Sequence, residues 1–156
     1  MSKPVDVVVA AESPADVELT LRALEAAVPG TGVAVAHDGE EVLELLLHRA
    51  ASAGGPAPRL LLLDRRLSKL DGFEVLQLLK ADPRTRTTPV VVVLDGHDER
   101  TVRRAYQLGA NSCIVKPVDF GAFRTRIGEV GRYWLAVSEP PEPADAVRRE
   151  GATTGA

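Results

Sequence analysis

Apolar residues follow two rhythms along the chain. Short apolar runs occur at Val5–Ala11, where Asp6 is the one polar residue, and at Gly32–Ala36, Leu60–Asp64, Val90–Asp95 and Ser112–Val115. They are too short for stable helices and rich in valine and leucine, the pattern of strands buried on both faces. Between them, apolar residues recur at helical spacing: Val17, Leu21, Leu24 and Val28; Val42, Leu45 and Leu46; Phe73, Val75, Leu76 and Leu79. Turn residues punctuate the two rhythms. Ser13-Pro14-Ala15-Asp16 opens a helix, with Ser13 as cap, Pro14 at the first helical position and Asp16 in the electropositive first turn. Pro29-Gly30 ends it. Asp38-Gly39 and Asp71-Gly72 open the next two helices, the latter closing at Asp82-Pro83. Asp98 caps a helix that runs to Gly109, and Asp119 caps a last one that runs to about Leu135. Ser52–Pro58 is a Gly/Pro loop.

Five strands alternating with five helices predict an α/β fold, a doubly wound parallel sheet with helices on both faces. Right-handed crossovers bring the carboxyl end of every strand to one edge, where ligands bind in such sheets. Glu12, Asp64, Asp95 and Lys116 fall at or just past strand ends on that edge. Three carboxylates and one lysine form an acidic cleft. It suits a hard divalent cation, and a carboxylate there can attack phosphorus to give an aspartyl phosphate. Strand-end acids are also common simply because the chain is leaving the core.

The 156 residues fit one domain, residues 1–137, followed by a Pro/Glu/Ala-rich tail at 138–156 that is expected to be mobile. A net charge of −3 leaves no basic footprint for nucleic acid. No apolar run reaches membrane-span length, and the first residues carry too short an apolar stretch for a signal peptide. The single cysteine, Cys113, fits a reducing cytoplasm, and His37, His48 and His97 lack metal-ligand spacing.

AAESPADV, LLLLDRRLSKLDGFEVL, RAYQLGANS and KPVDFGAF together resemble the receiver domain of two-component response regulators, over about residues 5–135. GANSCIVKPVDFGAF and RYWL are similar in particular to stand-alone receivers associated with bacterial phytochromes. The resemblance implies a flavodoxin-like (βα)5 sheet of order 2-1-3-4-5. It implies Asp64 as phosphoacceptor and Lys116 as the phosphate-contacting lysine. Glu12, Asp64 and the backbone carbonyl of Arg66 would be ligands to Mg²⁺, and Pro117 would follow a cis peptide. It implies a histidine kinase or another signalling protein as partner, and a homodimer with Tyr133 and Trp134 in its seam. Core packing is the other reading of those two aromatics.

The departures from the family are specific. Ala11 stands where the first of two acids is usual, Asp95 where Ser or Thr is usual, and Cys113 where Tyr or Phe is frequent. Ser68 replaces a common proline, and Arg65 and Arg66 follow the phosphoacceptor. A carboxylate at 95 donates no hydrogen bond unless protonated, and it would face a doubly charged phosphoryl group. Two unit charges at about 4 Å repel by roughly 1 kcal/mol in water and about 4 at an effective dielectric of 20. Asp95 is therefore read as a substitute cation ligand, as an ion-pair partner of Lys116 or Arg66 that locks one conformation, or as a group pointing away from a decayed site. The second is favoured, since both switch groups are lost together. The expectation is a non-enzymatic signalling module with phosphorylation weakened or dispensable; the alternative is an active phosphoacceptor using Mg²⁺. A flavin or nucleotide binder fits less well, because AAESPADV lacks glycines for close approach to phosphate. Cys113 and His97 are read as packing and loop residues. The Arg-rich stretch Glu99–Arg104 is read as a solvated face that in a receiver also belongs to the output surface.

Overall fold

The computed structural model describes residues 4–51 and 57–141. Most of the Ser52–Pro58 loop and of the 138–156 tail lies outside these residues. Five parallel strands, β1 (Val7–Ala10), β2 (Val33–Ala36), β3 (Leu60–Asp64), β4 (Val90–Leu94) and β5 (Ser112–Val115), form one sheet of order β2-β1-β3-β4-β5. Helices α1 (Pro14–Ala27), α2 (Gly39–Ala51), α3 (Gly72–Ala81), α4 (Glu99–Gln107) and α5 (Phe120–Arg132) alternate with them. The expected doubly wound, flavodoxin-like sheet is thus the observed one.

The central strands are buried on both faces, and their alternation divides the core in two. Val8, Ala10, Leu61, Leu63, Val90, Val92 and Leu94 pack with α2, α3 and Ala105 of α4 on one side. Val7, Val9, Leu60, Leu62, Val91 and Val93 meet Ala23 and Leu24 of α1 and Phe123 and Ile127 of α5 on the other. This parity positions the site. Ala11, Asp64, Asp95 and Lys116 continue the α1–α5 series at the carboxyl edge.

Aspartates start the helices as the sequence predicts. Asp71 accepts from the Phe73 N–H at 2.8 Å, Asp98 from Arg100 at 3.1 Å and Asp119 from Gly121 at 2.9 Å. Ser13 Oγ accepts the Asp16 N–H at 3.3 Å. Gly109, at φ 106°, ends α4 in the left-handed region that glycine alone enters without strain.

Three expectations need correction. β1 is shorter than Val5–Ala11: Gly32 O takes both the Asp6 and Val7 N–H groups while Gly32 N–H goes to the Asp6 carboxylate, so the strand entry is a local knot rather than a ladder. The last helix does not run on unchanged to Leu135; residues Tyr133–Val137 form a π-helical turn closed by Ser138 N–H on Tyr133 O at 2.7 Å. No described peptide bond is cis, so the Lys116–Pro117 bond is trans. Trans remains the favoured state of an X–Pro bond by about 0.5–1 kcal/mol, and the chain leaves β5 extended, with Lys116 N–H on Leu94 O at 2.8 Å.

Candidate functional site

Lys116 is the centre of the site. Its Nζ lies 2.8 Å from Asp16 Oδ2, 2.9 Å from Asp64 Oδ2 and 3.4 Å from Asp95 Oδ1. Asp95 Oδ2 also pairs with Arg66 Nε at 2.8 Å. Asp64 and Lys116 are the enclosed members, with side chains 10% and 19% exposed, whereas Asp95 is 41% exposed. Asp64 Oδ1 accepts the Arg66 N–H at 3.0 Å, so both of its oxygens are engaged.

Burial pushes the Asp64 carboxyl up; Lys116 and the Arg66 N–H oppose that shift, and the nearby charge of Asp95 adds to it. Burial also works against the Lys116 ammonium, but the hydrogen bonds to Asp16 and Asp64 outweigh it and hold the amine well above the ordinary lysine value. The two directions are compatible. One lysine serves three carboxylates, while Asp64 has only a share of one lysine.

Glu12 is exposed, and its carboxylate accepts the Ser68 N–H; hydrogen bonding to the Ser68 hydroxyl and then to that N–H lowers its pKa. The loop after β3 is held from several sides. Gly39 N–H donates to Ser68 O at 3.1 Å, Gly72 N–H to Arg65 O at 2.8 Å, and Lys69 takes a left-handed φ of 67° while pairing with Asp38 at 3.3 Å. Arg65 lies over the Phe73 ring at 4.8 Å.

Of the residues expected at the edge, Asp64, Asp95 and Lys116 come together, and Glu12 is turned to the loop. Asp95 is ion-paired with both Lys116 and Arg66. Asp16 was missed, since its first-turn position already accounted for it. The available signal was topological: α1 begins at the edge where the strands end, so its first-turn acid belongs there too. Cys113 packs beside the α2–α4 core layer, and burial raises its thiol pKa. His97 is exposed and lines a cleft of about 240 Å³ with Arg66, Asp95 and Thr101. Trp134 packs against the α1–α5 layer and meets Tyr133 edge-to-face at 5.2 Å, while Tyr133 is half exposed.

For a divalent cation the donor set is right in kind. Glu12, Asp64 and the Arg66 carbonyl are hard oxygen donors, and Mg²⁺ uses one or two protein carboxylates plus waters. Ala11 contributes none, and no three His, Cys, Asp or Glu side chains among the described residues are grouped to hold a metal. A cation held by those three donors would offset charge on phosphoryl oxygens.

A buried aspartate at the end of β3, a lysine after β5 and a 2-1-3-4-5 sheet define a class, and comparison with known proteins agrees. The family model for the response regulator receiver domain matches residues 7–128. The chain is 40% identical over 108 residues to the probable methanogenesis regulatory protein FilR2 of Methanothrix harundinacea, covering 69% of this chain and 68% of that one. It is 30% identical over 135 residues to the response regulator Rcp1 of Synechocystis, covering 86% and 92%. The crystal structure of the phosphorylated cyanobacterial phytochrome response regulator RcpA superposes with a TM-score of 0.80 at 28% identity, over 90% of this chain and all of that one. The Mn²⁺-bound form of Rcp1 gives 0.78 at 28% identity, over 88% and 99%. This chain belongs to the response regulator receiver domain family of two-component signalling, and the phytochrome-associated receivers are among its relatives. No described helix is long and apolar enough to cross a membrane.

Proposed function

We propose that this receiver signals by protein–protein contact in the cytoplasm as a switch module rather than a turnover enzyme, with phosphorylation of Asp64 weakened by its own site. The observation that carries this reading is the bridge from Asp95 to Lys116 and Arg66. A hydroxyl at this position would offer a phosphoryl group a hydrogen bond; the carboxylate offers repulsion and pairs with Arg66 and Lys116. The bridge ties the β4–α4 loop to the β3–α3 loop and so favours one arrangement of the α4 face. The Mg²⁺ site is weakened in parallel, since Ala11 supplies no carboxylate. The partner is a histidine kinase or another signalling protein, and the chain pairs with itself through the turn that follows α5, with Tyr133 and Trp134 at the seam and Tyr133 and Val137 exposed there.

Intact-protein mass spectrometry after incubation with Mg²⁺ and acetyl phosphate tests the first part. The native chain should gain little phosphoryl mass, Asp95→Thr clearly more, and Asp64→Asn none. Ready modification of the native chain would overturn the reading. Light scattering at tens of micromolar tests the second, with a monomer as the refuting result. One observation favours the alternative of a working phosphoacceptor: Asp64 keeps its burial and its lysine at 2.9 Å.

A further inference from the structure

Asp16 has no assigned part in this site, yet it makes the shortest contact to Lys116, 2.8 Å across 100 residues of chain. Its side chain is 26% exposed and lies in the first turn of α1. Helix α1 is docked one turn further on by buried Thr20 and then by Ala23 and Leu24, with Gly131 of α5 so close to Leu24 that a Cβ there would lie 2.6 Å from it. Asp16 is therefore a short side chain on a docked helix, whereas Lys116 carries its ammonium on a flexible stem. On the β1 side Ala11 presents only a methyl. A cavity of about 20 Å³ lies between it, Asp16, Asp64 and Lys116, so no strand-one carboxylate competes with Asp16 for the ammonium.

We propose that Asp16 is a positioning residue for Lys116: it shares the ammonium with Asp64 while Asp64 is unmodified, and must release it before Lys116 can neutralise a phosphoryl group. This rests on Asp64 being the phosphoacceptor. In that step an Asp64 carboxylate oxygen bonds to the phosphorus of the donor. The bond from phosphorus to the acetate oxygen breaks, acetate leaves with the electron pair, and no proton moves. Negative charge then grows beside Asp64, beyond its present Oδ2 contact, and Lys116 has to follow it. The pull of Asp16 opposes that movement and restrains modification independently of Asp95.

Two measurements decide it. NMR of the labelled lysine Cε and Nζ groups reads Lys116 with no phosphodonor present. Asp16→Asn should shift its Nζ resonance and speed exchange of its ammonium protons; an unchanged Lys116 signal overturns the proposal. In the Asp95→Thr background, Asp16→Asn should raise the rate of acetyl phosphate labelling about tenfold, the scale of one charge-assisted hydrogen bond. That gain should vanish when Lys116→Gln is added. No gain, or a gain that persists without the lysine, also overturns it. If Asp95→Thr accepts no phosphoryl group at all, the proposed function fails, and the lysine spectra alone decide the role of Asp16.

Discussion

Replacing Lys116 with methionine removes the one cation that pairs with Asp64 among the described residues. The side chains that surround it, at 2.8, 2.9 and 3.4 Å, are all carboxylates. Breaking a buried pair by removing one partner costs about 3–5 kcal/mol, because the other charge is left without compensation. Asp64 meets that condition at 10% exposure. Asp95 does not: it is 41% exposed and keeps Arg66 at 2.8 Å. The lower end, about 3 kcal/mol, is therefore expected for Lys116→Met. For a domain of this size that lowers the melting midpoint by roughly 6–12 °C. Urea unfolding followed by circular dichroism gives the free energy directly. The pH dependence identifies the cause. Lys116 itself titrates above its ordinary value, so its contribution is complete below about pH 10 and constant between pH 6 and 9. Asp64 already has a raised folded pKa, and losing the lysine raises it further. The variant then binds a proton in the folded state that the unfolded state lacks, so acidification narrows its deficit. Adding Asp64→Asn should recover most of the loss at neutral pH. A deficit below about 1 kcal/mol, or no recovery in the double variant, would refute the assignment of Asp64 as the group that Lys116 neutralises.

Three further outcomes are expected. Asp64→Asn alone should raise the midpoint at pH 7, because burial disfavours the charged carboxylate and Lys116 retains Asp16 and Asp95; a lower midpoint in thermal melts would contradict this. Gly72→Ala should cost about 2–3 kcal/mol in urea unfolding, since a Cβ would meet Asp64 O at 2.5 Å and Arg65 Cα at 2.8 Å, both of them backbone atoms; a loss within 0.5 kcal/mol, roughly, would contradict it. Arg66→Ala should change stability by no more than about 1 kcal/mol, because its side chain is 73% exposed, whereas Lys80→Met should cost about 2, because its ammonium is shared among Arg86 O, Thr88 O and Asn111 Oδ1 at 2.9–3.1 Å. Equal losses in the two variants would be the contrary result.

The strands and the aspartate caps were legible because each rests on local rules. A valine run needs covering on both faces, and an aspartate before a helix needs only the next turn to bond. The strand ends place Asp64, Asp95 and Lys116 on one edge, and the alternation seen in the core puts them on one face. Asp16 was not legible in the same way, because a first-turn acid is already explained by the helix it opens, and its lysine lies 100 residues away. Glu12 illustrates the opposite failure. Its place after β1 is as expected, but its carboxylate is taken by the Ser68 N–H, which depends on how the β3–α3 loop folds back. The π-helical turn at Tyr133–Val137 likewise reflects packing, with Leu135 and Trp134 drawn onto the α1–α5 layer while Tyr133 stays outside.

The Lys80 ammonium cross-links the edge of the sheet opposite the site. It joins the end of α3 to the segment entering β4, and through Asn111, which also takes the Val90 N–H at 2.8 Å, to the approach to β5. These bonds lie at the amino ends of the strands, opposite the site. One ammonium thus ties α3, the entry to β4 and the approach to β5 together at the edge away from Lys116. Any rearrangement of charge around Lys116 takes place at the opposite edge, among loops that these bonds do not reach.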